Sequence, residues 1–134
     1  MLLLREIDRA AAIIIKDSCV LLIHRWNKEQ GDYFIVPGGG IGEGESPETA
    51  VTRELKEEAG IDICNLRTFL EYQNSTSYRK QYFFLADCGD QEPIWQEKHK
   101  QTPENMYELQ WIELSTVKGI NLVPQILKEK LPSK

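Results

Sequence analysis

Residues 38–61 constrain the fold of this chain more than any other stretch. Five glycines within seven residues, Gly38, Gly39, Gly40, Gly42 and Gly44, run into a segment that carries Glu54, Glu57 and Glu58. Ser46 before Pro47 is a strong helix start, because serine caps an orphan amide and proline is preorganised for the first helical position. Glu48 adds negative charge at the positive end of the helix dipole, and Gly60 suits a left-handed C-cap. The spacing predicts a helix over 46–59. Tyr33, Phe34, Ile35 and Val36 before Pro37 read as a strand, so the order is strand, glycine loop, helix.

Projecting the helix at about 100° per residue places Val51, Leu55 and Ala59 on one apolar side. Glu57, Glu54 and Glu58 then occupy an arc from about 340° through zero to about 80°, measured from Ala50. An amphipathic helix with a solvated charged face is the plain alternative. Glu58 argues against it, since it projects between Ala50 and Val51, where the core stripe should be continuous. A carboxylate there is costly unless paired or bound to a cation. Three like charges on neighbouring turns also repel one another. A divalent cation answers both objections, because hard cations take oxygen ligands. Glycine runs alone are usually flexible connections, but here they adjoin an acidic helix and allow backbone to approach a ligand closely.

The same segment resembles the Nudix hydrolases, which share the pattern G-x5-E-x7-R-E-U-x-E-E-x-G-U, U being a bulky aliphatic residue. Gly39, Glu45, Arg53, Glu54, Leu55, Glu57, Glu58, Gly60 and Ile61 fill all nine fixed positions. Chance would produce such a match on the order of once in 10^9 starting points. The resemblance implies hydrolysis of a pyrophosphate bond in a nucleoside diphosphate linked to another group. It implies that Glu57 and Glu58 hold Mg²⁺ (or Mn²⁺), with Glu54 as a further ligand or as the base that activates water. The Gly38 carbonyl would join the metal shell, and Glu45 with Arg53 would lock the loop onto the helix. Gly39 and Gly40 would lie against substrate. In some family members the base is a Glu on a later loop, for which Glu92, Glu97 and Glu104 are candidates. The match covers 23 residues and leaves the substrate open.

The rest of the chain is consistent with one domain over 1–134, long enough to bury a core without disulfide staples. Residues 10–15 and 20–23 are apolar runs with a turn at 16–18, predicting an antiparallel hairpin. Residues 27–32 read as a loop, and 66–72, 81–86 and 107–114 as strands. Residues 89–105 are polar, with Pro93 and Pro103, and read as a functional or mobile loop. A terminal helix is expected over about 123–130 with Val123, Ile126 and Leu127 facing in. The class is α+β, and the resemblance sharpens it to an α/β/α sandwich with a mixed β-sheet between helices.

Net charge is −5, and no basic stripe suited to a long nucleic acid is visible. Lys98–Lys100 and 128–134 read as solvated surface. Cys19, Cys64 and Cys88 have no metal-site spacing. The N-terminus is charged too soon for a signal peptide, and no apolar run approaches the roughly 18 residues that span a membrane. The cytoplasm is the expected location. The expected partner is a small nucleotide-like phosphate, and the sequence leaves the oligomeric state open, a homodimer included. Arg25 could meet substrate phosphate through its bidentate fork, while His24 beside it reads as structural. Trp26, Tyr33, Phe34, Tyr72 and Tyr78 are available to stack on a base or sugar. A non-catalytic nucleotide-binding or regulatory module is the alternative, and loss of one of the three helix carboxylates would mark it. All three are present. A calcium-binding structural protein fails for want of an EF-hand ligand pattern.

Overall fold

In the computed structural model, which describes residues 7–73 and 79–134, strand β1 (Arg9–Ile13) is the organising element. All five of its residues are buried, so both of its faces need cover. It pairs antiparallel with β5 (Gly38–Gly40) on one side and parallel with β7 (Lys80–Asp87) on the other. Antiparallel β6 (Cys64–Gln73) completes this mixed sheet, in the order β5-β1-β7-β6. The second sheet is built on β3 (Cys19–Asn27), flanked by β2 (Ile15–Lys16), β4 (Gly31–Ile35) and β8 (Asn105–Glu113), all antiparallel.

The expected hairpin of 10–15 with 20–23 is therefore only partly present. Asp17 and Ser18, both with positive φ (52° and 62°), make the tight turn, but it joins β2 to β3 alone. The apolar run divides near Ile14, and its first part crosses to the other sheet. The glycine segment also departs from expectation, since three of its residues form a strand. A Cβ on Gly38 would overlap the carbonyl oxygen of Ala10 and the Cα of Ala11, so the close approach to β1 requires glycine.

Helix α1 (Pro47–Ala59) matches the reading of its caps. Ser46 Oγ accepts from the Thr49 amide at 3.1 Å, and Gly60, at φ 71°, donates its amide to the Lys56 carbonyl. Its buried side is Ala50, Val51, Leu55 and Ala59, together with Glu58. These apolar residues pack with Ala10, Ala12, Ile14, Ile61 and Phe84 on one face of the strands. On the other face Ala11, Ile13, Leu22, Val36 and Phe83 meet a 3-10 helix (Leu114–Gly119) through Val117, the short α2 (Ile126–Lys130) through Leu127, and the segment between them through Leu122. Helices cover the strands from both sides, giving the expected α+β sandwich.

The C-terminal region differs from expectation in register. Val123 is 44% exposed, Ile126 is half-buried, and the fully buried residues are Leu122 and Leu127. The cause is a strand-like crossing at β4: Phe34 donates its amide to the Asn121 carbonyl at 2.8 Å and accepts from the Val123 amide at 2.9 Å. Alternation there sends Leu122 inward and Val123 outward, and the helix starts only at Ile126. Residues 89–104 lack regular structure except for a 3-10 turn at Lys98–Lys100 and an isolated bridge from Thr102 to the first residue of β8, yet they are fastened. The Gln91 side chain bonds the Asp62 amide, the Asp62 carbonyl and the Cys88 carbonyl at 2.7, 2.8 and 2.8 Å. Among the described residues no helix is long and apolar enough to cross a membrane.

Candidate active site

The outer part of the α1 acidic face is organised by Arg53. Its guanidinium grips Glu45 through two contacts, Nε to Oε2 at 2.7 Å and Nη2 to Oε1 at 2.8 Å. Nη2 also donates to the Gly40 carbonyl at 3.1 Å, and Glu45 Oε1 accepts the Gly42 amide at 2.8 Å. Loop and helix are thus clasped through one charged pair. The Arg53 hydrogen bonds and the Gly42 amide hold the Glu45 carboxyl down to about 2, while Glu45 raises the Arg53 guanidinium further above its ordinary value. Nη1 of Arg53 continues to Glu54 at 3.0 Å and Glu57 at 3.2 Å.

Glu58 sits in the opposite environment. It is 7% exposed, and its Oε1 accepts the Gly38 amide at 3.0 Å. Burial pushes its carboxyl up to about 8, against the pull of Arg9 and the Gly38 amide, with Glu54 and Glu97 adding repulsion. Arg9 was not legible as a site residue. Its Nη2 donates to the Val36 carbonyl at 2.6 Å, and burial lowers its guanidinium to about 10 despite the attraction of Glu58. The one signal for it in the sequence is a charge abutting the apolar run 10–15. Glu54 lies directly over β5, where a Cβ added to Gly39 would fall on its carboxylate.

Glu54 and Glu58, with Glu57 beside them, are therefore gathered against Gly38 and Gly39. Among the described residues, however, no three His, Cys, Asp or Glu side chains are drawn together tightly enough to hold a metal as they stand. The reason is visible in the contacts: Arg53 engages Glu54 and Glu57, and Glu58 faces the Gly38 amide. The donor set still fits a hard cation in kind. It is all oxygen, it is flanked by backbone that comes close only because it is glycine, and it includes a buried carboxylate short of positive charge.

The three later glutamates separate clearly. Glu97 is near enough to Glu58 to repel it, its side chain is 17% exposed, and it pairs with Lys100 at 3.1 Å. Glu92 is exposed and lies by Lys16 and Trp111. Glu104, also exposed, lines a cleft of about 470 Å³ that contains Arg25 and Tyr33 but none of the α1 carboxylates. Arg25 itself is held rather than free: Nη2 donates to Asn105 Oδ1 and to the Tyr107 hydroxyl, both at 2.9 Å, and the guanidinium lies 4.3 Å from the Tyr107 ring centroid. Of the other aromatics, Phe34 stacks on His24 at 4.5 Å, His24 bonds Asp32 at 2.8 Å, and Tyr72 packs against the core. Trp26 lies beside His24 and Met106, and Tyr78 lies outside the described residues.

A mixed-sheet sandwich with a clasped glycine loop and a carboxylate-bearing helix defines a recognisable class. The model of the NUDIX domain matches residues 6–130, and the chain belongs to the Nudix family. It is similar to 8-oxo-dGTP diphosphatase of Escherichia coli, 41% identical over 94 residues, covering 67% of this chain and 73% of that one. It is also similar to ADP-ribose pyrophosphatase of Methanocaldococcus jannaschii, 49% identical over 49 residues, covering 37% of this chain and only 29% of that one. In fold it resembles MutT from Aliivibrio salmonicida and Vibrio cholerae, with a TM-score of 0.74 at 22% identity, covering 92% of this chain and 94% of the other.

Proposed function

We propose that this protein is a Mg²⁺-dependent (or Mn²⁺-dependent) pyrophosphohydrolase acting on a nucleoside diphosphate linked to another group, with 1–134 forming one domain. The observation that carries the reading is Glu58, a buried carboxylate at the Gly38 amide, on the same helix face as Glu54 and Glu57. In a purely structural helix that position would be apolar. The names of the relatives, an 8-oxo-dGTP diphosphatase and an ADP-ribose pyrophosphatase, support the substrate class.

Glu54, Glu57 and Glu58 would hold the cation with the Gly38 carbonyl. When bound, the cation supplies a lowered water pKa and neutralises charge on the bridging phosphate oxygens. Arg53 would hand Glu54 and Glu57 over while its Glu45 pair keeps the loop shaped. Gly39 and Gly40 let phosphate oxygens approach the backbone. Either Glu54 or Glu97 would take the proton of the attacking water, Glu97 being the later-loop carboxylate whose neighbour Gln96 bonds the Glu58 carbonyl. Arg25, braced by Tyr107 and Asn105, would meet phosphate or base at its cleft, with Tyr33 beside it. The free cysteines Cys19, Cys64 and Cys88 suit a reducing compartment, and the cytoplasm is the proposed location.

The test is a panel of nucleoside triphosphates, oxidised nucleotides, ADP-ribose, dinucleoside polyphosphates and nucleotide sugars, assayed with Mg²⁺ and Mn²⁺. Turnover that vanishes with chelator supports the reading. Silence across the panel sinks it and favours a nucleotide-binding module.

A further inference from the structure

Glu97 immediately precedes the 3-10 turn Lys98–Lys100, and its carbonyl accepts the Lys100 amide at 3.0 Å, on a segment that otherwise has no regular structure from 89 to 97. From 91 to 97 half-buried and exposed residues alternate, an extended run with Trp95 and Glu97 on its inner side. The amides of Ile94 and Gln96 donate to the carbonyls of Ala59 and Glu58, both at 2.9 Å, so the segment caps the end of α1. Its second anchorage is aromatic. The Trp95 indole stacks on Tyr107 with centroids 5.0 Å apart and planes 13° from parallel.

Tyr107 is in turn rigidly placed. Its amide donates to Gln101 Oε1 at 2.9 Å, and its carbonyl accepts from Gln101 Nε2 at 2.5 Å. Its hydroxyl accepts from Arg25 Nη2 at 2.9 Å and from Asn105 Nδ2 at 3.2 Å. Trp95 belongs to neither apolar cluster, and its indole N–H is buried without a partner. The ring face, not the polar edge, is what it contributes.

We infer that Trp95 is a positioning residue: its stack on Tyr107 holds residues 94–101 so that Glu97 stays beside the Glu58 end of α1, and it links that carboxylate to the cleft around Arg25. The inference rests on the reading above of Glu97 as a participant in hydrolysis. The contact path runs from Arg25 through Tyr107 and Trp95 to the carboxylate two residues on. A group that settles against Arg25 therefore bears on the element that presents Glu97.

The test compares the full chain with Trp95→Phe, Trp95→Ala, Glu97→Gln and the Trp95→Ala/Glu97→Gln double variant, using dGTP, 8-oxo-dGTP and ADP-ribose with Mg²⁺. Trp95→Ala is expected to lower kcat by about 10- to 100-fold with KM moved far less, and Trp95→Phe to restore it, since misplacement of a reacting group acts on turnover. The double variant should be no worse than Glu97→Gln alone, because both changes remove one effect. Multiplying losses, a loss confined to KM, failure of Trp95→Phe to rescue, or Glu97→Gln turning over like wild type would each overturn the inference. Amide hydrogen exchange gives a readout independent of turnover. Ile94 and Gln96 should exchange about tenfold faster or more in Trp95→Ala but not in Trp95→Phe. Unchanged exchange overturns the holding role. If the wild type turns over none of the wider panel named above while exchange responds as expected, the hydrolase reading fails and the holding role of Trp95 stands.

Discussion

The two sides of the α1 acidic face are held by opposite physics. On the outer side Arg53 draws Glu45, Glu54, Glu57 and the Gly40 carbonyl together near solvent. On the inner side Glu58 has one amide donor and the field of a buried Arg9. The outer network fixes the shape of a loop while contributing modest stability, because charge pairs still open to solvent on the Arg53 side are partly screened and cost side-chain entropy. The inner carboxylate stabilises nothing as an anion. Its burial makes ionisation unfavourable, and this leaves a charge requirement that a cation can meet. Shape and charge are supplied by different residues on one helix.

The largest expected effect is on the inner side. Glu58→Gln should cut Mg²⁺-dependent turnover by about 10²-fold or more, as loss of a well-placed electrostatic group does, while the metal-free protein at pH 9 melts higher than wild type. Turnover within a few-fold of wild type would end the metal assignment. Next comes the backbone beside it. Gly38→Ala would force a methyl into Ala10 and Ala11 of β1, with a cost of about 1–3 kcal/mol measurable by denaturant unfolding. The nearest atoms to a Cβ on Gly39 are the carboxylate end of Glu54, a flexible side chain, so Gly39→Ala should melt near wild type and lose activity instead.

A third test uses pH. Glu58 keeps its proton in the folded protein up to about 8, whereas the unfolded chain releases it near the ordinary value of 4.5. The unfolded state binds fewer protons across that window, so metal-free stability should fall as pH rises from 4.5 to about 8. The thermal shift produced by Mg²⁺ should grow over the same window, and Glu58→Gln should flatten both trends. Glu45 has the reverse sign. Its carboxyl is held down to about 2, so whatever the clasp contributes is present above pH 4.5 and lost as pH falls toward 2. The smallest effect is on the outer side. Arg53→Ala should change stability by less than about 1 kcal/mol and less still in high salt, though turnover suffers as the loop loses its clasp. A large, salt-independent loss of stability would erase the contrast between the two sides.

Helix α1 was readable because its determinants are local. Ser46, Pro47 and Gly60 mark its ends within the segment itself, and the projection that set Glu58 in the apolar stripe needed only the helical period. Where pairing depends on distant chain, the sequence said less. Nothing in residues 10–15 announces that Ala10, Ala11 and Ala12 will lie between Gly38–Gly40 and β7 rather than in a hairpin. Leu122 and Val123 exchange faces because of two hydrogen bonds to Phe34, almost ninety residues earlier. Glu97 could not be told from Glu92 and Glu104 by composition. Its distinction comes from backbone bonds to Glu58 and Ala59 and from Trp95 against Tyr107. Arg9 went unnoticed for a related reason: only the assembled sheet turns the residue before β1's alanines into a buried neighbour of Glu58.

The position of β1 also dictates an order of events at the ribosome. Both of its neighbours, β5 and β7, are synthesised after it, and the parallel partner is not complete until Asp87. β5 is complete at Gly40, but the β7 edge of the strand must wait unpaired while about half the chain is made. Non-local pairing of this kind slows folding and leaves edges open to the wrong partners. A nascent strand that begins Arg-Ala-Ala-Ala offers such partners a charge and three methyl groups instead of a row of large side chains. The small residues that let glycine backbone pass close by in the finished sheet are thus also a safeguard while it is still being made.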